Sequence, residues 1–155
     1  MKNIWRNPYL CTLLLALLLV GMLCTGCTSA LNSDHGQSTD SMLAEDGWYT
    51  APQDVADYLH IYAHLPDNFI TKNEAKKMGW DSQSGNLDEV APGMSIGGDI
   101  FGNREKLLPE EKGRKYYECD VNYEGGYRNG ERIIYSNDGL IYYTDDHYKS
   151  FEQLY

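Results

Sequence analysis

The sequence predicts an α+β domain, with N-terminal helices packed on one face of a C-terminal antiparallel β-sheet. Three observations carry that expectation. Apolar residues recur at helical spacing from Val55 to Tyr62. Two helix-start signals follow, at Thr71-Lys72-Asn73-Glu74 and at Asn86-Leu87-Asp88-Glu89. From Ser95 onward the pattern changes to short β-prone runs separated by turn residues.

Taken in order, Pro52 suits the first position of a helix, because its missing N–H would be unpaired there anyway. Val55, Tyr58, Leu59 and Tyr62 supply that helix with one apolar stripe, and Leu65-Pro66-Asp67-Asn68 ends it. Thr71 and Glu74 form a capping box, so a second helix starts at Thr71 and stops at Gly79. A short third helix opens at Asn86 in the same way and is closed by Pro92-Gly93. Strands are expected over 95–101, 115–121, 131–136 and 140–144, with a last short one through Phe151. Asn137-Asp138, with Gly139 beside them, makes the turn of a hairpin.

Alternation sorts the strand over 115–121. Tyr116, Glu118 and Asp120 share one face; Tyr117, Cys119 and Val121 share the other. Cys119 and Val121 are assigned to the helix-packed core with Ile133 and Ile141. Glu118 is thereby expected on an open, concave face where a substrate can lie.

The 155-residue chain divides into three stretches. Residues 1–27 read as a secretory signal: Lys2 and Arg6 are the positive end, and Leu10 to Leu23 is almost wholly apolar. Leu23-Cys24-Thr25-Gly26-Cys27 suggests a lipoprotein ending, with Cys27 lipidated and the protein held outside the cytoplasmic membrane. Cys24 departs from the usual aliphatic residue, so cleavage after Thr28-Ser29-Ala30 and an uncleaved anchor stay open. Residues 28–46 are polar and read as a flexible linker; residues 47–155 form the domain. Only Cys119 of the four cysteines falls in that domain, so it contains no internal disulfide.

The chain carries a net charge of −10, and without Lys2 and Arg6 there are 11 basic against 23 acidic residues. An acidic protein is an unpromising nucleic-acid binder, since affinity comes largely from neutralising phosphates. Any such function must concentrate cations locally, and Lys72, Arg104, Arg128 and Arg132 are the candidates. Glu118, Arg128, Arg132 and His147 are the parts needed to cleave a phosphodiester by acid–base chemistry. Each has an ordinary reading as well: a solvated strand glutamate, arginines paired with surface acids, a turn histidine. His64 reads as a capping or surface residue, and the histidines and cysteines lack zinc spacing. No metal and no cofactor are expected.

Several strings decide between these readings. They are Val-Ala-Asp-Tyr-Leu at 55–59, Leu-Pro-Asp-Asn-Phe-Ile-Thr-Lys at 65–72, Ser-Ile-Gly-Gly-Asp-Ile-Phe at 95–101, Asn103-Arg104-Glu105, Arg128-Asn129 and Thr-Asp-Asp-His-Tyr at 144–148. On them, residues 47–155 resemble the barnase family of secreted bacterial ribonucleases, which prefer guanine. The resemblance implies that Glu118 is the general base and His147 the general acid, and that Lys72, Arg128 and Arg132 are the phosphate-site cations. It implies that Phe101, Gly102, Asn103, Arg104 and Glu105 form a guanine-recognition loop, with Glu105 accepting from the ring edge. Tyr148 falls on an aromatic at the base site, and Asp99 and Asp120 on carboxylates that organise the arginines. Gly102 stands where the family has serine, Tyr116 and Gly139 where it has tryptophan, and Met94 where it has lysine.

The resemblance implies a monomeric extracellular endoribonuclease that cleaves single-stranded RNA after guanosine through a 2′,3′-cyclic phosphate. It also implies a small acidic barstar-like inhibitor as partner, with membrane contact only through a lipid at Cys27. A non-catalytic RNA- or protein-binding lipoprotein and a ribonuclease toxin against competitors are the competing readings.

Overall fold

A computed structural model describes residues 43–155. The signal segment with Cys27, and residues 28–42 of the linker, lie outside the described residues.

Helix α1, Pro52–Tyr62, starts with Pro52 in its first turn and ends at Ala63, whose backbone turns left-handed (φ 59°) while its N–H donates to the Leu59 carbonyl. Val55, Ala56, Tyr58 and Leu59 are its buried face. Helix α2, Lys72–Lys77, carries the expected capping box: Thr71 accepts from the Glu74 N–H, and Glu74 reaches back to the Thr71 N–H. Helix α3, Leu87–Val90, differs from expectation. Its N-cap Asn86 makes no capping bond; its side chain instead accepts from the Asp81 N–H and donates to the Gly79 carbonyl. Asn86 thus fastens the preceding loop rather than the helix.

The sheet has six strands: β1 (Phe69–Ile70), β2 (Ser95–Phe101), β3 (Tyr116–Asp120), β4 (Arg132–Ser136), β5 (Ile141–Thr144) and β6 (Glu152–Gln153). They lie side by side in chain order. The sheet is mostly antiparallel rather than wholly so, because β1 pairs in parallel with β2. Two residues between two helix signals leave too little alternation for a strand to show in the sequence. The last strand follows Phe151 instead of running through it; Phe151 packs into a core cluster.

Between Gly97 and Asp99 the β2–β3 register shifts: Gly97 pairs with Cys119, Asp99 with Glu118. Gly98 takes the positive φ (89°) of this bulge. The bulge sets Asp99 directly opposite Glu118. Gly97 is needed for a different reason: a Cβ there would lie 2.7 Å from Phe69, 2.8 Å from Cys119 and 2.9 Å from Leu65.

Val55, Ala56 and Leu59 of α1 pack on Cys119, Val121, Ile133 and Ile141, as the alternation predicts. The opposite sheet face is only partly open. Tyr116, Ile134 and Tyr142 are buried there under Leu108, with Phe101, Leu140, Tyr148 and Phe151 against them. A third cluster around Trp80, Leu87 and Ile96 seats α2 and α3 beside the first strands. Ahead of α1, the carbonyls of Leu43, Ala44 and Glu45 accept from the hydroxyls of Tyr62 (2.6 Å), Tyr49 (3.1 Å) and Tyr58 (2.7 Å).

Candidate active site

Glu118 sits in the middle of β3, yet only 7% of its surface is exposed. It is not an open strand carboxylate: Lys72 and Tyr148 cover it. The Lys72 ammonium donates to Oε1 at 2.5 Å, and the Tyr148 hydroxyl donates to Oε2 at 2.8 Å. Burial pushes the Glu118 carboxyl up, but the hydrogen bonds from Lys72 and Tyr148, with the charges of Lys72 and Arg128, outweigh it. The group ends below the ordinary glutamate value. Burial and the neighbouring carboxylate hold the Tyr148 hydroxyl protonated, pushing it up to about 12.

Lys72 owes its position to α2. A cation in the first turn of a helix is disfavoured, and here two acids offset it. Asp99 accepts from the Lys72 N–H at 2.8 Å, and Glu118 takes the ammonium. Asp99 therefore differs from expectation. It holds the start of α2 and hydrogen-bonds neither arginine, because the bulge at Gly98 turns it toward the helix.

Asp120, two residues along β3 and 1% exposed, organises both arginines. Arg128 grips it with two prongs, Nε to Oδ2 at 2.5 Å and Nη2 to Oδ1 at 2.6 Å. Burial would lower the Arg128 pKa, but this pairing raises it. Arg132 is 2% exposed, with Nε 2.8 Å from Asp120 Oδ1. That contact is an ion pair without an aligned hydrogen bond, since the buried Nε–H has no acceptor in line. Arg132 Nη1 donates to the Asn129 side chain and the Glu131 carbonyl.

His147 and Tyr148 follow β5 with left-handed backbones (φ 61° and 69°). Their rings lie 5.1 Å apart. His147 is exposed beside Gly130, where a Cβ would come within 3.8 Å of the His147 Cβ. Phe101 stacks on Tyr148 at 5.4 Å. From Phe101 the chain runs into the loop of Gly102, Asn103, Arg104 and Glu105. Asn103 closes that loop, donating to the Leu108 carbonyl and accepting from the Leu108 N–H. Arg104 and Glu105 stand exposed on it. The fold thus joins Lys72, Glu118 and Tyr148 in one hydrogen-bonded group and Asp120, Arg128 and Arg132 in another on the same strand, with His147 beside Tyr148 and the loop leaving from Phe101.

Comparison with known proteins adds the decisive observation: residues 52–155 match the ribonuclease family. The chain belongs to this microbial ribonuclease family. Over 100 residues it is 56% identical to a ribonuclease of Heyndrickxia coagulans, a match covering 64% of this chain and 92% of that protein. It is equally identical over 100 residues to a Bacillus intermedius ribonuclease, but spans only 62% of that protein's length. Guanyl-specific ribonuclease St of Saccharopolyspora erythraea is 38% identical over 55 residues, 35% of this chain and 54% of that protein.

Within this barnase-like ribonuclease, three polar groups hold the site in roles the sequence does not assign to them. The Tyr148 hydroxyl on Glu118 is one; the sequence marks only its ring. Asn129 is another. Its side chain donates to the Val121 and Asn122 carbonyls and accepts from the Glu131 N–H and Arg132. Asp146 is the third: it accepts from Thr144, from the Lys149 and Ser150 N–H groups, and from the Ser150 hydroxyl. Asn and Asp commonly bind nearby backbone in turns, and that is the signal that could have found the last two.

Proposed function

We propose that this ribonuclease is an exported endoribonuclease cleaving single-stranded RNA after guanosine by metal-independent acid–base chemistry. The observation that carries the reading is Glu118 paired with Lys72, with Arg128 and Arg132 held by Asp120 two residues along the same strand. RNA brings its own nucleophile. Glu118 takes the proton from the 2′-hydroxyl as O2′ bonds to phosphorus. His147 gives a proton to O5′ as the P–O5′ bond breaks, leaving a 2′,3′-cyclic phosphate. In the slower hydrolysis the two exchange roles, His147 deprotonating water and Glu118 protonating O2′. Each proton transfer is worth roughly 10²–10⁴-fold. Lys72, Arg128 and Arg132 supply fixed positive charge for the crowded phosphorane.

Guanine preference rests on the loop of Phe101 to Glu105. One carboxylate, Glu105, can accept both N–H donors on the Watson–Crick edge of guanine. Adenine offers the wrong polarity there and leaves that acceptor unpaired. The guanyl-specific relative supports the same preference. Export through residues 1–27, with a lipid at Cys27, is part of this reading, as is a small acidic inhibitor binding Arg104, Arg128, Arg132 and His147 in the cytoplasm.

The test is cleavage of a guanosine-containing dinucleotide, in the presence of a chelator, by the parent and by Glu118→Ala and His147→Ala. Cleavage to a cyclic phosphate by the parent, collapsing in both variants, is expected. An inert but folded parent would shift the reading to a binding module.

A further inference from the structure

The cleft contains one contact that acid–base cleavage does not require. Tyr148 touches both of its ends: the ring stacks on Phe101 at 5.4 Å, where the loop begins, and the hydroxyl donates to Glu118 at 2.8 Å. With Lys72 on the other oxygen, both Glu118 oxygens already accept a hydrogen bond in the free protein. A carboxylate bonded at both oxygens is a weaker base than one freed on one side. The Tyr148 backbone is fixed: its N–H donates to Thr144 Oγ1 at 3.2 Å, and its φ of 69° limits its freedom. A planar base stacking on Phe101 competes with the Tyr148 ring for that face, and with the backbone held, side-chain rotation is the movement that would carry the hydroxyl off Glu118.

We infer that Tyr148 is a positioning residue that couples occupation of the Phe101 loop to the basicity of Glu118. It latches the base in the empty cleft and releases it when a nucleobase displaces the ring. This rests on the ribonuclease reading of Glu118 and makes base recognition a condition for full rate, not only for binding.

Charged and titratable groups stand on each element near Glu118. They are Lys72 from α2, Asp99 opposite it on β2, and Asp120 on its own strand. Arg128 and Arg132 come from the β3–β4 segment and β4, and His147 and Tyr148 from beyond β5. Among the described residues only Lys72 and Tyr148 hydrogen-bond its carboxylate. Removing the Tyr148 hydroxyl deletes one of the two hydrogen bonds that stabilise the charged form.

The experiment compares Tyr148→Phe and Phe101→Leu with the parent, on guanosine and adenosine dinucleotides, as pH profiles of kcat/KM and kcat. In Tyr148→Phe the acid limb of kcat/KM should move up by about one pH unit. The kcat ratio between guanosine and adenosine substrates should fall, because Glu118 no longer waits for the right base. Phe101→Leu keeps the hydroxyl and should lower the kcat ratio without moving the acid limb. An active Tyr148→Phe enzyme with the parent's limb and the parent's ratio would overturn the coupling. A parent that cleaves neither dinucleotide would instead overturn the ribonuclease reading beneath it.

Discussion

Asp120 is gripped by Arg128 through two hydrogen bonds of 2.5 and 2.6 Å, at a point where Asp120 is 1% exposed. The same carboxylate lies 2.8 Å from the buried Nε of Arg132. One buried anion thus aims two cations into the cleft. Asp120→Ala leaves Arg132 buried without its counter-ion, a loss of about 3–5 kcal/mol when one partner of a buried pair is removed. Asp120→Asn retains an acceptor and should cost less. Urea denaturation measures both, and equal stability of Asp120→Ala and the parent would contradict the arrangement.

Lys72 acts directly on Glu118, donating to its Oε1. Its ammonium is among the groups that hold the Glu118 carboxyl below the ordinary value. Lys72→Ala therefore raises that pKa and moves the acid limb of the rate profile to higher pH. The plateau rate should also drop, by roughly 10²–10³-fold for one lost charge-stabilising donor. A limb that stays put while the plateau falls would assign Lys72 to the phosphate alone.

Asp146 fastens the segment carrying His147 and Tyr148. Hydrogen bonds from the Ser150 hydroxyl and N–H act most strongly on it, and its carboxyl falls from 3.8 to about 2. A carboxyl depressed in the fold contributes stability that is complete above its unfolded value and lost as pH falls through the folded one. The contribution is thus present above pH 3.8 and disappears toward pH 2. Asp146→Ala should lower Tm at neutral pH and flatten the Tm profile across that window. It should also reduce kcat, since His147 and Tyr148 lose their anchor.

The sheet face and the arginine carboxylate were legible in the sequence for different reasons. Period-two alternation placed Cys119, Val121, Ile133 and Ile141 in the core, because strand geometry leaves no other choice once one face is buried. The role of Asp120 came from resemblance, not from alternation. The register shift at Gly98 escaped, because a bulge depends on pairing with β3, which β2 alone does not encode. That single shift is why Asp99 serves α2 instead of an arginine. The covering of Glu118 escaped likewise. Lys72 and Tyr148 are 46 and 30 residues from it in the chain, and only the closed fold brings them together.

Three tyrosines tie the segment ahead of α1 to the domain. Tyr62, Tyr49 and Tyr58 donate to three successive carbonyls, Leu43, Ala44 and Glu45. A chain beginning at residue 47 loses all three bonds and leaves the 0%-exposed Tyr58 without its acceptor. At about 0.5–1.5 kcal/mol net for each of the three bonds, a chain starting at 43 should be more stable by roughly 1.5–4.5 kcal/mol. Paired chemical denaturation of the two lengths measures the difference.

Gly102 stands where the resemblance places a serine, and neither its backbone nor its surroundings require glycine. Its φ lies outside the left-handed region, in contrast to Asn103 (φ 40°) and Lys106 (φ 55°). A Cβ at 102 would meet only Arg104, at 3.6 and 3.7 Å, which is ordinary van der Waals contact. Neither strain nor space demands glycine here. Gly102→Ser should therefore be tolerated in the fold and stabilise it by about 0.4–1 kcal/mol, chiefly by restricting the unfolded chain. Held more tightly, the loop should bind guanosine substrates with a lower KM while kcat stays near the parent's, because Glu118 and its partners are untouched. A destabilised Gly102→Ser protein would mean that the loop uses the freedom of glycine in binding or folding.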